Sequence, residues 1–224
     1  MTRKFMALAS MLVVIGMLAA AWMVGSALPA DVPLPTHWGL DGEPDQYSDK
    51  WTALLMPAGL VGGISLLLFF LPALEPRRQG LERSQGLYLW SWAALIIMGV
   101  IIQLAVTSVA LRWPVHGTSF ILGGVGLVFA LIGNQLGKSR SMYLVGIRTP
   151  WTLASEEVWI KTHRLAGKLM AGGGLLMIVA AFLPLPSGLV ATLIIGVLVG
   201  AVAVPVAYSY FLWRAELRRN QANG

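Results

Sequence analysis

Charge along this 224-residue chain is confined to short intervals between long uncharged runs. Four of these runs cover 5–30, 51–74, 84–111 and 117–136, each about as long as the roughly 20 residues a membrane-spanning helix needs. A further uncharged stretch, 169–213, is too long for one crossing. Pro184-Leu185-Pro186-Ser187-Gly188 supplies a break that divides it into a fifth and a sixth helix. Gly25-Ser26-Ala27 offers the small residues a signal peptidase accepts. The apolar stretch before it exceeds a signal sequence's usual core, so an uncleaved first helix is expected. Gly59 and Gly63, four apart in the second run, are expected to admit a neighbouring helix, and Pro205 to kink the sixth.

Composition agrees with this pattern. Mean hydropathy is +0.73 and only 12% of residues are charged, about half the proportion usual in a soluble domain. Of the 16 basic residues, all but Lys50 and Arg112 fall on one side if six helices alternate from an internal N-terminus. That is the asymmetry the positive-inside rule expects, and an odd number of crossings would place the basic tail on the wrong side. The expected class is therefore an all-α integral membrane protein, multi-pass in a bacterial inner membrane. It has six transmembrane helices and both termini cytoplasmic. The net charge of +6 flanks apolar runs and forms no solvated basic face, so nucleic acid is not an expected partner. With no cysteine there is no disulfide, thiol nucleophile or thiolate metal site.

Two polar intervals carry most of the remaining information. The inner one begins with Asn134-Gln135-Leu136-Gly137 and continues from Gly146 to Gly167. Pro150 lacks a donor and biases Thr149 towards an extended backbone, which predicts a turn at 148–151. Thr152 or Ser155 then caps a helix with Glu156 and Glu157 in its first turn, where the helix dipole favours negative charge. Glu157 and Lys161 are spaced for an i,i+4 ion pair, and Trp159 and His163 share a face. This predicts an amphipathic cytoplasmic interfacial helix before the fifth span, feeding directly into it. The outer interval, 31–50, is acidic and rich in proline and glycine, and reads as a loop.

Candidate chemistry is sparse. Asp41, Glu43 and Asp45 echo a calcium loop, but Gln46 stands where its turn glycine belongs and Pro44 interrupts it; no metal is expected. His37, Trp38 and Tyr47 beside those acids form a landing surface for a cationic or amphipathic peptide. Inside, Arg148, Lys161, His163 and Arg164 are placed to meet lipid phosphates or an acidic partner, with Trp151 and Trp159 at headgroup level. His163 with Glu156 or Glu157 is weak evidence for acid–base catalysis, and no enzyme or cofactor is expected. The spans hold essentially no ionisable group, only Gln103 and Asn134 as notable polar residues, which disfavours a proton-coupled carrier.

The block G-x-R-T-P-W-T-L followed by E-x-V-W-x-K-T-H-R-L-A-G, preceded by 134–137, resembles the C-terminal domain of the SdpI family of bacterial immunity proteins. The block from Pro33 to Lys50 is similar to the P-x-H-x-x-x-G-x-P-D signature of an uncharacterised domain that often precedes it. The resemblance implies a two-span region, 1–80, with its outer loop, and a four-span region, 81–224, carrying the inner motif segment 134–168. It implies protection against a secreted membrane-active peptide toxin, with signalling through sequestration of a cytoplasmic repressor. On this reading His37, Trp38, Gly39, Asp41, Gly42, Pro44 and Asp45 meet the toxin. Asn134, Arg148, Thr149, Pro150, Trp151, Thr152, Glu157, Trp159, Lys161, His163 and Arg164 form the inner motif, serving structure, headgroup or partner. The competing reading is a small membrane carrier or lipid-headgroup-binding protein without ion coupling.

Overall fold

The computed structural model describes residues 2–39, 43–114 and 117–222. In chain order these form α1 (Arg3–Ala27), β1 (Pro33–Trp38), β2 (Pro44–Asp49), α2 (Lys50–Phe70) and a 3-10 turn (Leu71–Leu74). They continue as α3 (Arg78–Arg83), α4 (Gln85–Ala110), α5 (Gly117–Leu136), α6 (Pro150–Ala154), α7 (Glu156–Ala180) and α8 (Ser187–Ala222). Among the described residues, five helices are long and apolar enough to cross a membrane: α1, α2 with its 3-10 extension, α4, α5 and α8. The protein is thus a helical, multi-pass membrane protein.

The amphipathic motif segment and the fifth run form one helix, α7. Ser155, whose hydroxyl accepts from the Val158 amide at 3.3 Å, starts a helix that continues unbroken from the amphipathic motif into the apolar stretch. Lys161, Arg164 and Lys168 keep α7 from the composition of an ordinary spanning helix. It nevertheless lies antiparallel to α5 along its length, Gly137 facing Arg164 at one end and Gly123 facing Ala181 at the other.

Small residues make that approach possible. A methyl group on Gly133 would come within 2.6 Å of the Ala171 nitrogen, and one on Gly126 within 2.6 Å of the Gly174 oxygen. Side chains larger than hydrogen are excluded, and the helices gain dispersion contact that lipid cannot replace. Gly59 and Gly63 do not serve this purpose: nothing lies within 4 Å of where their Cβ atoms would be.

The six long helices alternate in direction. Near one end, Met6 of α1 shares a core with Tyr88 and Leu89 of α4. Leu87 packs with Leu136 of α5 and Trp159 of α7 at the same end. Near the other, Ala21, Ala53, Leu54 and Val106 enclose Leu34 of β1. Leu87 and Val106 both lie on α4, so these layers are separated by roughly 28 Å at 1.5 Å per residue.

The outer interval is a β-hairpin rather than a loop. β1 and β2 pair antiparallel from Pro33 opposite Asp49 to Trp38 opposite Pro44. Pairing satisfies backbone groups that would otherwise sit beside an apolar surface. Asp49 then caps α2, its Oδ1 accepting from the amides of Trp51 and Thr52 at 3.0 Å each.

Candidate functional site

At the end of the bundle away from the hairpin, the chain between α5 and α7 is tied down by a residue the sequence reading passed over. Glu75 follows the 3-10 turn, is only 2% exposed, and accepts from the amides of Arg77 (2.9 Å), Tyr143 (3.1 Å) and Leu144 (2.9 Å). A carboxylate so enclosed is tolerable because several N–H groups take the place of water. The Arg77 side chain follows the same route. Its guanidinium donates to the Ser141 hydroxyl, to the Leu153 carbonyl at 3.2 Å and to the Tyr143 hydroxyl at 3.3 Å, and it lies 4.7 Å from the centroid of the Tyr143 ring. Ser84 adds a further tie by accepting from the Arg140 amide at 2.8 Å.

His163 closes this arrangement from below and has 0% exposure. Its Nε2 accepts from the Ile147 amide at 2.8 Å and its Nδ1 lies 2.8 Å from the Trp159 carbonyl. An amide can only donate and a carbonyl only accept, so the geometry selects the neutral tautomer with its proton on Nδ1. Burial pushes its pKa down to about 4, the Trp159 carbonyl pulling the other way. The ring stacks on Trp159 at 4.0 Å, as the i,i+4 spacing predicts, and the Trp159 indole donates to Ser139 at 3.1 Å. Gly146, with φ +124°, passes over both rings; a Cβ there would sit 2.6 Å from His163 Nε2.

Several inner motif residues are therefore internal. Thr149 caps α6, with Pro150 at its first turn, and Thr152 returns the bond in a capping box. The Thr152 hydroxyl also donates to the Ile147 carbonyl at 2.8 Å. Trp159 is 0% exposed, not at headgroup level, because α7 turns that face to the α4–α5 side of the bundle. Trp151 packs on α8 instead, donating to Ser209 and lying 5.5 Å from Tyr210. His163 is likewise withdrawn from any phosphate.

The catalytic reading also fails on geometry: both histidine nitrogens are engaged by backbone, Glu156 faces Arg140 and the Ser141 amide, and Glu157 faces Lys161 and Arg219. The expected Glu157–Lys161 pair is present at 2.5 Å. That hydrogen bond is the main reason the Glu157 carboxyl is held below its ordinary pKa. Asn134, Arg148, Lys161 and Arg164 are exposed, although Arg148 also donates to the Tyr143 carbonyl.

At the hairpin, two register shifts fall between Pro35 and His37 and between His37 and Trp38. The second leaves Asp45 as an extra residue in β2, which brings its Oδ1 to 2.6 Å from His37 Nδ1. Both side chains are exposed, and Tyr47 is exposed beside them. The Gly39 amide donates to the Glu43 carbonyl at 2.9 Å next to the bend. The Trp38 indole N–H is buried without a hydrogen-bond partner among the described residues. Asp41 and Gly42 lie outside the described residues. The hairpin base is held by Lys50, whose ammonium donates to the Leu28 carbonyl at 2.7 Å.

Residues 138–209 match the SdpI/YfhL protein family, and residues 11–61 match a domain of unknown function, DUF1648. The first match contains α6, α7 and the strapped loop; the second contains the hairpin with most of α1 and the first half of α2. The chain is 25% identical over 155 residues to the protein named immunity protein SdpI of Bacillus subtilis (strain 168), covering 69% of this chain and 71% of that protein. No solved structure matches the chain.

Proposed function

We propose that this chain, which belongs to the SdpI family through residues 138–209, is a multi-pass immunity protein of the bacterial inner membrane. It protects the cell from a secreted, membrane-active peptide. Its six long helices all cross the bilayer, α7 included, with both termini cytoplasmic and the hairpin outside. The N-terminal region, 1–80, presents the capture surface, and the region 81–224 carries the cytoplasmic segment.

The observation that carries this reading is the construction of the hairpin. Leu34 is buried among three helices while His37 and Asp45 towards the far end of the same two strands, and Tyr47 opposite Pro35, remain exposed. A rigid base with an acidic and aromatic tip suits a cationic amphipathic peptide arriving at the outer surface. Trp38, Gly39, Asp41, Gly42 and Pro44 complete the recognition surface. At the other end, the inward-packed motif residues hold the loop in shape, and Arg148, Glu157, Lys161 and Arg164 are the members available to a repressor.

The test is protection in a toxin-sensitive host expressing the full chain, challenged with peptides encoded beside its gene. Protection by the wild type, reduced about tenfold in the D45N variant at equal membrane abundance, supports capture at the hairpin; tenfold corresponds to about 1.4 kcal/mol. No protection against any such peptide would reject immunity. Full protection by D45N would remove the hairpin from the mechanism.

A further inference from the structure

Beside the strapped loop, a cleft of about 520 Å³ opens between residues 76–83 and the chain that follows α5. Arg77, Arg78 and Arg83 from one stretch and Arg140 from the other line it, with Glu156 as the carboxylate among the lining residues. Four guanidinium groups drawn together against one carboxylate repel one another, and an anion between them relieves that repulsion.

Two features distinguish this cleft from a solvated basic face. Arg77 is fixed by three hydrogen bonds and a stacked tyrosine, so part of the site is organised before any ligand arrives. Arg78 and Arg83 have exposed side chains and no ion-pair partner among the described residues. Their planar forks match the oxygens of a phosphate. The cleft also adjoins the end of α2, where Phe70 and Leu74 are exposed apolar side chains suited to an acyl layer. Its opening is therefore level with lipid headgroups.

We propose that this cleft binds a phosphate group, and that the group is the headgroup phosphate of an anionic phospholipid. The assignment is independent of the immunity reading, since it uses neither the hairpin nor a toxin.

It is tested by native mass spectrometry of the full chain released from nanodiscs containing equal phosphatidylglycerol and phosphatidylcholine. The wild type is expected to retain phosphatidylglycerol preferentially. The R78Q/R83Q variant is expected to lose that preference by about thirtyfold, at roughly fivefold for each basic charge removed. Both side chains are exposed, and an unchanged circular dichroism spectrum verifies the fold. The R218Q variant, which removes a basic charge from the exposed end of α8 at the same side of the bundle, is expected to retain the preference within about twofold. Equal losses in R78Q/R83Q and R218Q, or no preference in the wild type, would overturn the site. Displacement of the lipid by millimolar inorganic phosphate would overturn the lipid as source and assign the cleft to soluble phosphate.

Discussion

His163 illustrates how one buried side chain can hold two segments that are distant in sequence. It joins the Ile147 amide to α7 while its own proton remains on the Trp159 carbonyl. Its level in the bundle, next to Gly137 just past the end of α5, puts it in the polar layer beyond the apolar spans. The sign of its pH effect follows from the depressed pKa. Below about 6.5 the unfolded chain takes up a proton that the folded protein refuses until about pH 4, so stability is lost as pH falls through that window. Between pH 7 and pH 5 this amounts to about 2 kcal/mol as an upper figure. Thermal unfolding of the detergent-purified protein at the two values reads it, and the H163Q variant is expected to unfold earlier at pH 7 but with a flatter response to acid. Glu75 is the other residue on which the loop depends. Replacing it with glutamine turns one acceptor into a donor facing backbone N–H groups, with an expected cost of about 2–3 kcal/mol in the same assay. The sequence offered the Trp159–His163 stack through spacing alone. It did not offer Glu75, whose partners at 143 and 144 are joined to it only by the fold, although an acid placed between the second apolar run and an arginine-rich interval was a signal available to be read.

Among the elements, α7 carries the most consequence because it joins the motif to the fifth apolar stretch. Its cap and first turn were legible: Ser155, the two glutamates and Lys161 behave as local rules require. Its direct continuation into the apolar stretch is also expected from the sequence, which has no proline between Ser155 and Pro184. The packing glycines were misplaced. Spacing four apart marks Gly59 and Gly63 and equally marks other pairs, and only the neighbour's position decides which face is used. Substituting Gly174 with valine is expected to force α5 and α7 apart, lowering the unfolding temperature markedly, whereas Gly63→Val is expected to change it little. The hairpin was read as a loop because proline and glycine dominate it. Strand pairing there depends on the platform that Leu34 enters, a contact formed by three helices.

For the molecule as a whole, the alternation of six helices agrees with the charge pattern, although composition alone singles out five. The proposed sixth crossing rests on its neighbour, since α7 lies antiparallel to α5 from end to end. The same arrangement separates the hairpin from the strapped loop by the length of the bundle, as the proposed division between outer capture and inner signalling requires. Because the chain contains no cysteine, single cysteines can be introduced and labelled without background. The most direct measurement is labelling of Tyr47→Cys and Lys161→Cys with a membrane-impermeant maleimide in intact cells. Tyr47→Cys is expected to react immediately and Lys161→Cys only after the membrane is permeabilised; reaction of both in intact cells, or of Lys161→Cys alone, would contradict the arrangement.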